Sequence, residues 1–147
     1  MKNFDYPPVW TLLCIALGLM LDRLWPLDLF GAVGRYLGAA AILAGLGLML
    51  LAVERMRRAA TTVMPHRAPS ALVTDGVFRW SRNPIYLGDL LVLLGVLLWA
   101  DAPLGLLALP LLMVVLTRRF ILPEEARLAE GFGPAFSQWS KTTRRWL

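Results

Sequence analysis

The chain holds one cysteine, Cys14, and one histidine, His66, among its 147 residues. The single cysteine excludes an intrachain disulfide and any metal site built on thiolates, and the single histidine excludes a multi-histidine site. Cys14 lies in an apolar run, where it reads as a small apolar side chain in a helix. Lysine is scarce as well, so the net charge of +5 is carried almost wholly by arginine. In a soluble protein that charge would point to nucleic acid. Here the arginines flank apolar runs, the positive-inside bias accounts for them, and no nucleic-acid partner is expected. There is no internal repeat and no low-complexity tract. No small-x-small cleavage site follows the first apolar run, which ends in Asp22-Arg23. That run is expected to be a retained membrane helix rather than a signal peptide. Acids are missing from the interiors of the first, second and fourth apolar runs, which speaks against a cation-coupled transporter.

What the chain has in abundance is apolar sequence: 58% of its residues are hydrophobic, and its mean hydropathy is +0.61. Four runs stand out, at about 8–25, 36–53, 84–100 and 102–122. Crossing a hydrocarbon core of ~30 Å takes ~20 residues at ~1.5 Å each. The third run is short, and the fourth reaches full length if Arg118 and Arg119 snorkel to the interface. Asp101-Ala102-Pro103 is a turn signal, so the last two runs form a helical hairpin. The expected fold is an all-α integral membrane protein, one domain over 1–147. Its four transmembrane helices are joined by a cytoplasmic loop, 54–83, and followed by a cytoplasmic tail, 123–147. Loop and tail face the cytoplasm because they hold most of the arginines, and both termini follow them there.

The loop is long for so small a bundle, which marks it as functional. It contains Pro65, Pro69, a β-leaning stretch at 71–74 and the Asp75-Gly76 turn. The tail reads as two short helices, 124–130 and one beginning at Pro134, with Gly131 or Gly133 between them. Leu128, Phe132, Phe136 and Trp139 recur near the helical period, as an interface-lying segment requires. Gly45 and Gly47, with Gly18, Gly38 and Gly95, read as close helix packing in preference to pocket lining.

The polar residues concentrate at 66–76, 79–88 and 124–125. Hairpin geometry brings the start of one helix to the end of its partner, so Arg82-Asn83-Pro84 should neighbour Glu124-Glu125. Taken singly, each has an ordinary explanation. Asn83-Pro84 and Pro123-Glu124-Glu125 are both good helix starts. Tyr86 suits an interfacial anchor, and Arg79 and Arg82 suit topology determinants.

Taken together they resemble something specific. The run Thr61-Thr62-Val63-Met64-Pro65-His66 is followed by Leu72-Val73-Thr74-Asp75-Gly76-Val77-Phe78-Arg79. Then come Ser81-Arg82-Asn83-Pro84-Ile85-Tyr86-Leu87-Gly88, Ile121-Leu122-Pro123-Glu124-Glu125, Leu128, Phe132-Gly133 and Arg144-Arg145-Trp146-Leu147. Over 61–147 this resembles the isoprenylcysteine carboxyl methyltransferase family, whose core the phospholipid N-methyltransferases share. The resemblance implies an S-adenosylmethionine-dependent methyltransferase of a bacterial inner membrane. Its cofactor pocket would lie at the cytoplasmic face, among hairpin, loop and tail, and open toward lipid.

Carried over, Arg82, Asn83, Pro84 and Tyr86 match the first cofactor motif, and Glu124 and Glu125 match the second. His66 and Gly76 fall near the pocket. Arg82 and Glu125 are the expected catalytic pair. Asn83 stands where prenylcysteine enzymes carry histidine and where the phospholipid branch carries asparagine, which argues against a prenylcysteine substrate. The chemistry agrees. A helix N-terminus with Arg82 suits the cofactor's carboxylate, a glutamate its ammonium, and Tyr86 its sulfonium. Glu125 is expected on the cofactor, with Glu124 anchoring the loop through Arg79 or Arg82. The expected partners are the bilayer and a lipophilic or amphipathic acceptor. Two alternatives are a nicotinamide-dependent membrane reductase of the sterol type, which the short length disfavours, and a non-enzymatic four-helix transporter or scaffold.

Overall fold

A computed structural model describes residues 5–62 and 69–147; His66 lies outside the described residues. Among those described, all regular structure is helical. Helix α1 spans Pro7–Leu24, α2 Gly31–Arg58 and α3 Pro84–Trp99. A 3₁₀ turn, Leu104–Leu107, leads into α4, Ala108–Leu116. A π-helical turn, Thr117–Ile121, then runs without a break into α5, Leu122–Thr142. α1, α2 and the run from Leu104 are long and apolar enough to cross a membrane, while α3 has 16 residues. The expected all-α membrane fold is present. Leucines and other large apolar side chains, such as Leu43 and Leu50, stand exposed on its outer faces, as lipid contact requires.

α2 is longer at both ends than the apolar run predicts. At its start, Asp101 reaches across from the α3–α4 turn. Its carboxylate accepts backbone N–H bonds from Leu29 at 3.0 Å, Phe30 at 2.7 Å and Gly31 at 2.9 Å. These are donors that a helix start leaves unpaired. They hold the Asp101 carboxyl below the usual carboxylate range. The same residue turns the hairpin, with a φ of 53°, so one side chain ties both turns at this end of the bundle. At its other end α2 continues through Glu54 to Arg58, where Arg58 pairs with Glu54 one turn back.

α2 and α3 pack backbone to backbone. A Cβ on Gly38 would lie 2.5 Å from the Gly95 carbonyl oxygen, and one on Gly95 would lie 2.6 Å from that of Gly38. Two turns along, Gly45 and Gly88 meet in the same way, at 2.7 and 2.8 Å. The packing reading therefore holds for Gly38, Gly45 and Gly95, and for Gly18, which abuts Gly105. A Cβ on Gly47 would meet nothing within 4 Å among the described residues. Leu93, Leu97, Leu112, Leu116 and Phe120 fill the core between α1, α3 and α4, with buried Cys14 among them.

The tail corrects two expectations. Pro123 does not begin a separate helix, because the helical run continues through it from α4. A proline inside a helix lacks a donor and crowds the carbonyl four residues back. The preceding π turn, in which the Leu122 N–H bonds to the Thr117 carbonyl, absorbs this. The break falls instead at Gly133, whose φ of 44° and ψ of −114° are non-helical and which precedes Pro134. The apolar face of the tail is also not left for the membrane interface. Phe136 and Trp139 are buried against Val73, Val77 and Phe78 of the loop, with Leu128 and Phe132 beside them. The stretch at 71–74 forms no strand; it bends at Ala71, has no regular structure after it, and gives Val73 to this cluster.

Candidate active site

The loop approaches α3 through a 3₁₀ turn, Gly76–Arg79. Gly76 has a φ of +58°, and a Cβ there would lie 2.8 Å from Arg55 Nε. A side chain there is disfavoured by conformation and would push against Arg55, which pairs with Asp75 at 3.0 Å. Gly76 serves this turn and does not line the cavity described below. Arg79 is exposed. The tail fastens the residues that follow. The Arg82 backbone N–H donates to the Arg144 carbonyl at 3.0 Å. The Arg145 carbonyl accepts from Asn83 Nδ2 at 2.9 Å and from Ser81 Oγ at 3.3 Å. Trp139 Nε1 donates to the Phe78 carbonyl at 3.3 Å. Asn83 therefore does more than start α3: its amide joins the head of the hairpin to the end of the tail.

The two motif segments meet as the hairpin requires. Arg82 lies 3.1 Å from the Glu125 carboxylate, with both side chains largely buried. Arg145 grips the same carboxylate with two bonds, Nε at 3.1 Å and a terminal nitrogen at 2.7 Å. The fork geometry makes this a strong pairing, and the hydrogen bond to Glu125 raises the Arg145 pKa further. Glu124 points elsewhere and accepts the Tyr86 hydroxyl at 3.0 Å. The tie to Arg82 expected of Glu124 is thus made by Glu125. Tyr86 is buried, packed near Phe120 with ring centroids 6.2 Å apart, and is not a surface anchor.

Arg82, Asn83, Pro84, Tyr86 and Glu124 all line one cavity of about 450 Å³, a size that suits a small ligand. Its remaining wall comes from Tyr6, Pro7 and Pro8 at the start of α1, Met49 and Met56 of α2, Phe78 and Ile85, and Asp89 of α3. The wall is mainly apolar, with Arg82 and Glu124 near the head of α3 and Asp89 further along that helix. Arg82 Nε is buried with no hydrogen-bond partner among the described residues. Sequence reasoning did not find the roles of Arg145, Asp89 or the methionines. Asp89 had a visible signal, an acid inside an apolar run. The methionines had none.

A helical membrane bundle with a cavity at the head of a hairpin, lined by both segments of a methyltransferase-like pattern, defines a class of membrane-embedded methyltransferases. A family model described as phospholipid methyltransferase matches residues 33–135, and the chain belongs to that family. No curated protein and no solved structure matches the chain. The family assignment agrees with the resemblance seen in sequence and supports methyl transfer to a lipid-related substrate.

Proposed function

We propose that this protein transfers a methyl group from S-adenosylmethionine to a lipophilic or amphipathic acceptor at the cytoplasmic face of a bacterial inner membrane. One observation carries the reading: side chains of both motif segments, Arg82, Asn83 and Tyr86 from one and Glu124 from the other, line a single cavity. The donor set fits the cofactor. The orphaned Arg82 Nε suits its carboxylate, Glu124 its ammonium, and the Tyr86 ring its sulfonium. When bound, the cofactor supplies a methyl group already activated on a positively charged sulfur. The protein's own work is then to hold and align the acceptor. Alignment of this kind is worth up to about 7–11 kcal/mol of barrier. Glu125, held by two arginines, keeps Arg82 at the cavity, and the Arg145–Asn83 bond holds the helix start beside it.

The demethylated cofactor should bind the purified protein with a micromolar dissociation constant, about −7 to −8 kcal/mol. Calorimetry in detergent reads this directly, with NADPH as the competing ligand for the reductase reading. Folded protein that gives no heat at millimolar cofactor product would sink the proposal.

The orientation is a separate matter. The arginine-rich loop and tail favour a cytoplasmic position for the cavity and both termini. Cysteine introduced as Asp28→Cys should react with an impermeant maleimide in intact cells, and Lys141→Cys only after permeabilisation. Both positions are exposed, while native Cys14 is buried. Labelling of Lys141→Cys from outside would invert the site.

A further inference from the structure

α3 carries a single acid, Asp89, which is 5% exposed. It lies about one turn beyond Tyr86 on the same helix and lines the same cavity. Thr11 of α1 lies beside it, with its own hydroxyl donated to the Pro7 carbonyl at 3.2 Å. Among the described residues no cation pairs with it: the five ion pairs join Arg55 to Asp75, Arg58 to Glu54, Arg82 and Arg145 to Glu125, and Arg119 to Asp5. A buried carboxylate in a membrane helix is expensive unless something answers it, and such residues face an internal path and mark what moves along it. Nothing among the described residues supplies the answering charge. Asp89 lines the cavity together with Pro7, Pro8 and Met49.

The polar groups of the cavity are divided by depth. Arg82 and Asn83 stand at the head of α3. Asp89 lies five residues past Pro84, roughly 7.5 Å further along the helix axis at ~1.5 Å per residue. The cavity lining is mainly apolar apart from its few polar groups, which suits the reacting end of an amphiphile rather than the charged end of the cofactor.

We infer that Asp89 is the acceptor-recognising residue: it binds an acceptor whose nucleophilic atom carries a proton, an amine or a hydroxyl, and turns carboxylates away. The inference rests on the methyl-transfer reading above and names the side of the site that reading leaves open. In the step, the lone pair of the acceptor nitrogen or oxygen forms the bond to the methyl carbon. The methyl–sulfur bond breaks with its electrons kept on sulfur, and the proton shed by the acceptor passes to the Asp89 carboxylate. One positive and one negative charge disappear together, so the site stays neutral overall. A carboxylate acceptor sheds no proton and would sit against a second anion in an apolar wall, where like charges are poorly screened.

The test uses full-length protein with hexylamine, hexanol and hexanoate as matched probes, titrated calorimetrically without cofactor. Wild type should bind the amine or the alcohol at least tenfold more tightly than hexanoate, and the arms show which of the two it prefers. Asp89→Asn should erase most of that preference while keeping its affinity for the demethylated cofactor within twofold. With cofactor present, the same variant should lose at least a hundredfold in kcat/KM on the preferred acceptor. Hexanoate binding as tightly as the others to wild type overturns the inference, and that result needs no variant to fold. A preference that survives in Asp89→Asn overturns it too. An Asp89-dependent preference without any cofactor binding would uphold the recognition role and defeat the methyl-transfer reading. Cofactor binding without the preference would do the reverse.

Discussion

Glu124→Gln should bind the demethylated cofactor tens- to thousands-fold more weakly than wild type, with little change in melting temperature. Glu125→Gln should show its loss first in stability. The two residues are adjacent, but they point about 100° apart on the helix, and their surroundings differ accordingly. Glu124 lines the cavity and meets Tyr86. Removing one partner of a desolvated charge pair costs about 2–5 kcal/mol of binding, which sets the expected range. Glu125 lies between Arg82 and Arg145. An amide there leaves two guanidinium groups facing each other with no anion between them. Breaking a fully buried pair costs about 3–5 kcal/mol. The Arg145 side chain is 37% exposed, and solvent screening brings the expectation down to about 2–3 kcal/mol. Calorimetry and thermal unfolding on both variants separate the roles. If both keep cofactor affinity within twofold, about 0.4 kcal/mol, the pair is structural. If only Glu125→Gln loses affinity without losing stability, the assignments are reversed.

The other large effect is expected far from the site. Gly38→Leu and Gly95→Leu should each prevent α2 and α3 from meeting, with the folded protein lost or its melting temperature sharply lowered. The atoms in the way are backbone, the Gly95 and Gly38 carbonyl oxygens at 2.5 and 2.6 Å, and backbone cannot move aside as the end of a side chain can. Overpacking a core by a few methylenes already costs about 1–3 kcal/mol, and here a whole helix pair must part. Gly47 is the internal control. It lies on α2 as Gly38 does, and a Cβ there would meet nothing within 4 Å, so Gly47→Ala should be neutral or stabilising by up to about 1 kcal/mol. Melting curves in one detergent compare all three. A Gly38→Leu protein that melts with wild type would show that the two helices do not rely on this contact.

Much of this was legible in the sequence because it depends on short-range patterns. Asp101-Ala102-Pro103 marks the hairpin, and the hairpin alone brings Arg82 to the glutamates. Asp75-Gly76 marks a turn, and Gly133-Pro134 marks a break in the tail. What escaped depends on what lies opposite. The periodicity of Leu128, Phe132, Phe136 and Trp139 shows an apolar face but not its cover, which is Val73, Val77 and Phe78 rather than lipid. The acid Asp89 is visible in an apolar run, whereas its neighbour Thr11 is set by the way α1 lies against α3. Pro123 looks the same whether it opens a helix or follows a π turn. Which glutamate faces the cavity depends on helical phase, and no residue type records one extra residue in a turn.

That extra residue also makes the helix tolerant of a change in its own length. Ordinarily, losing one residue swings everything downstream by about 100°, enough to carry both glutamates off their targets. Between Leu116 and Leu122 the chain already holds a surplus residue, since Leu122 bonds five positions back to Thr117. Deleting Thr117 would close the segment as a plain α-helix and leave Glu124 and Glu125 facing where they face now. The deletion would also set the ring of Pro123 against a carbonyl that the wider turn now clears. Surplus residue and proline therefore go together: the deletion combined with Pro123→Ala preserves the direction of the glutamates, whereas the deletion alone creates a collision.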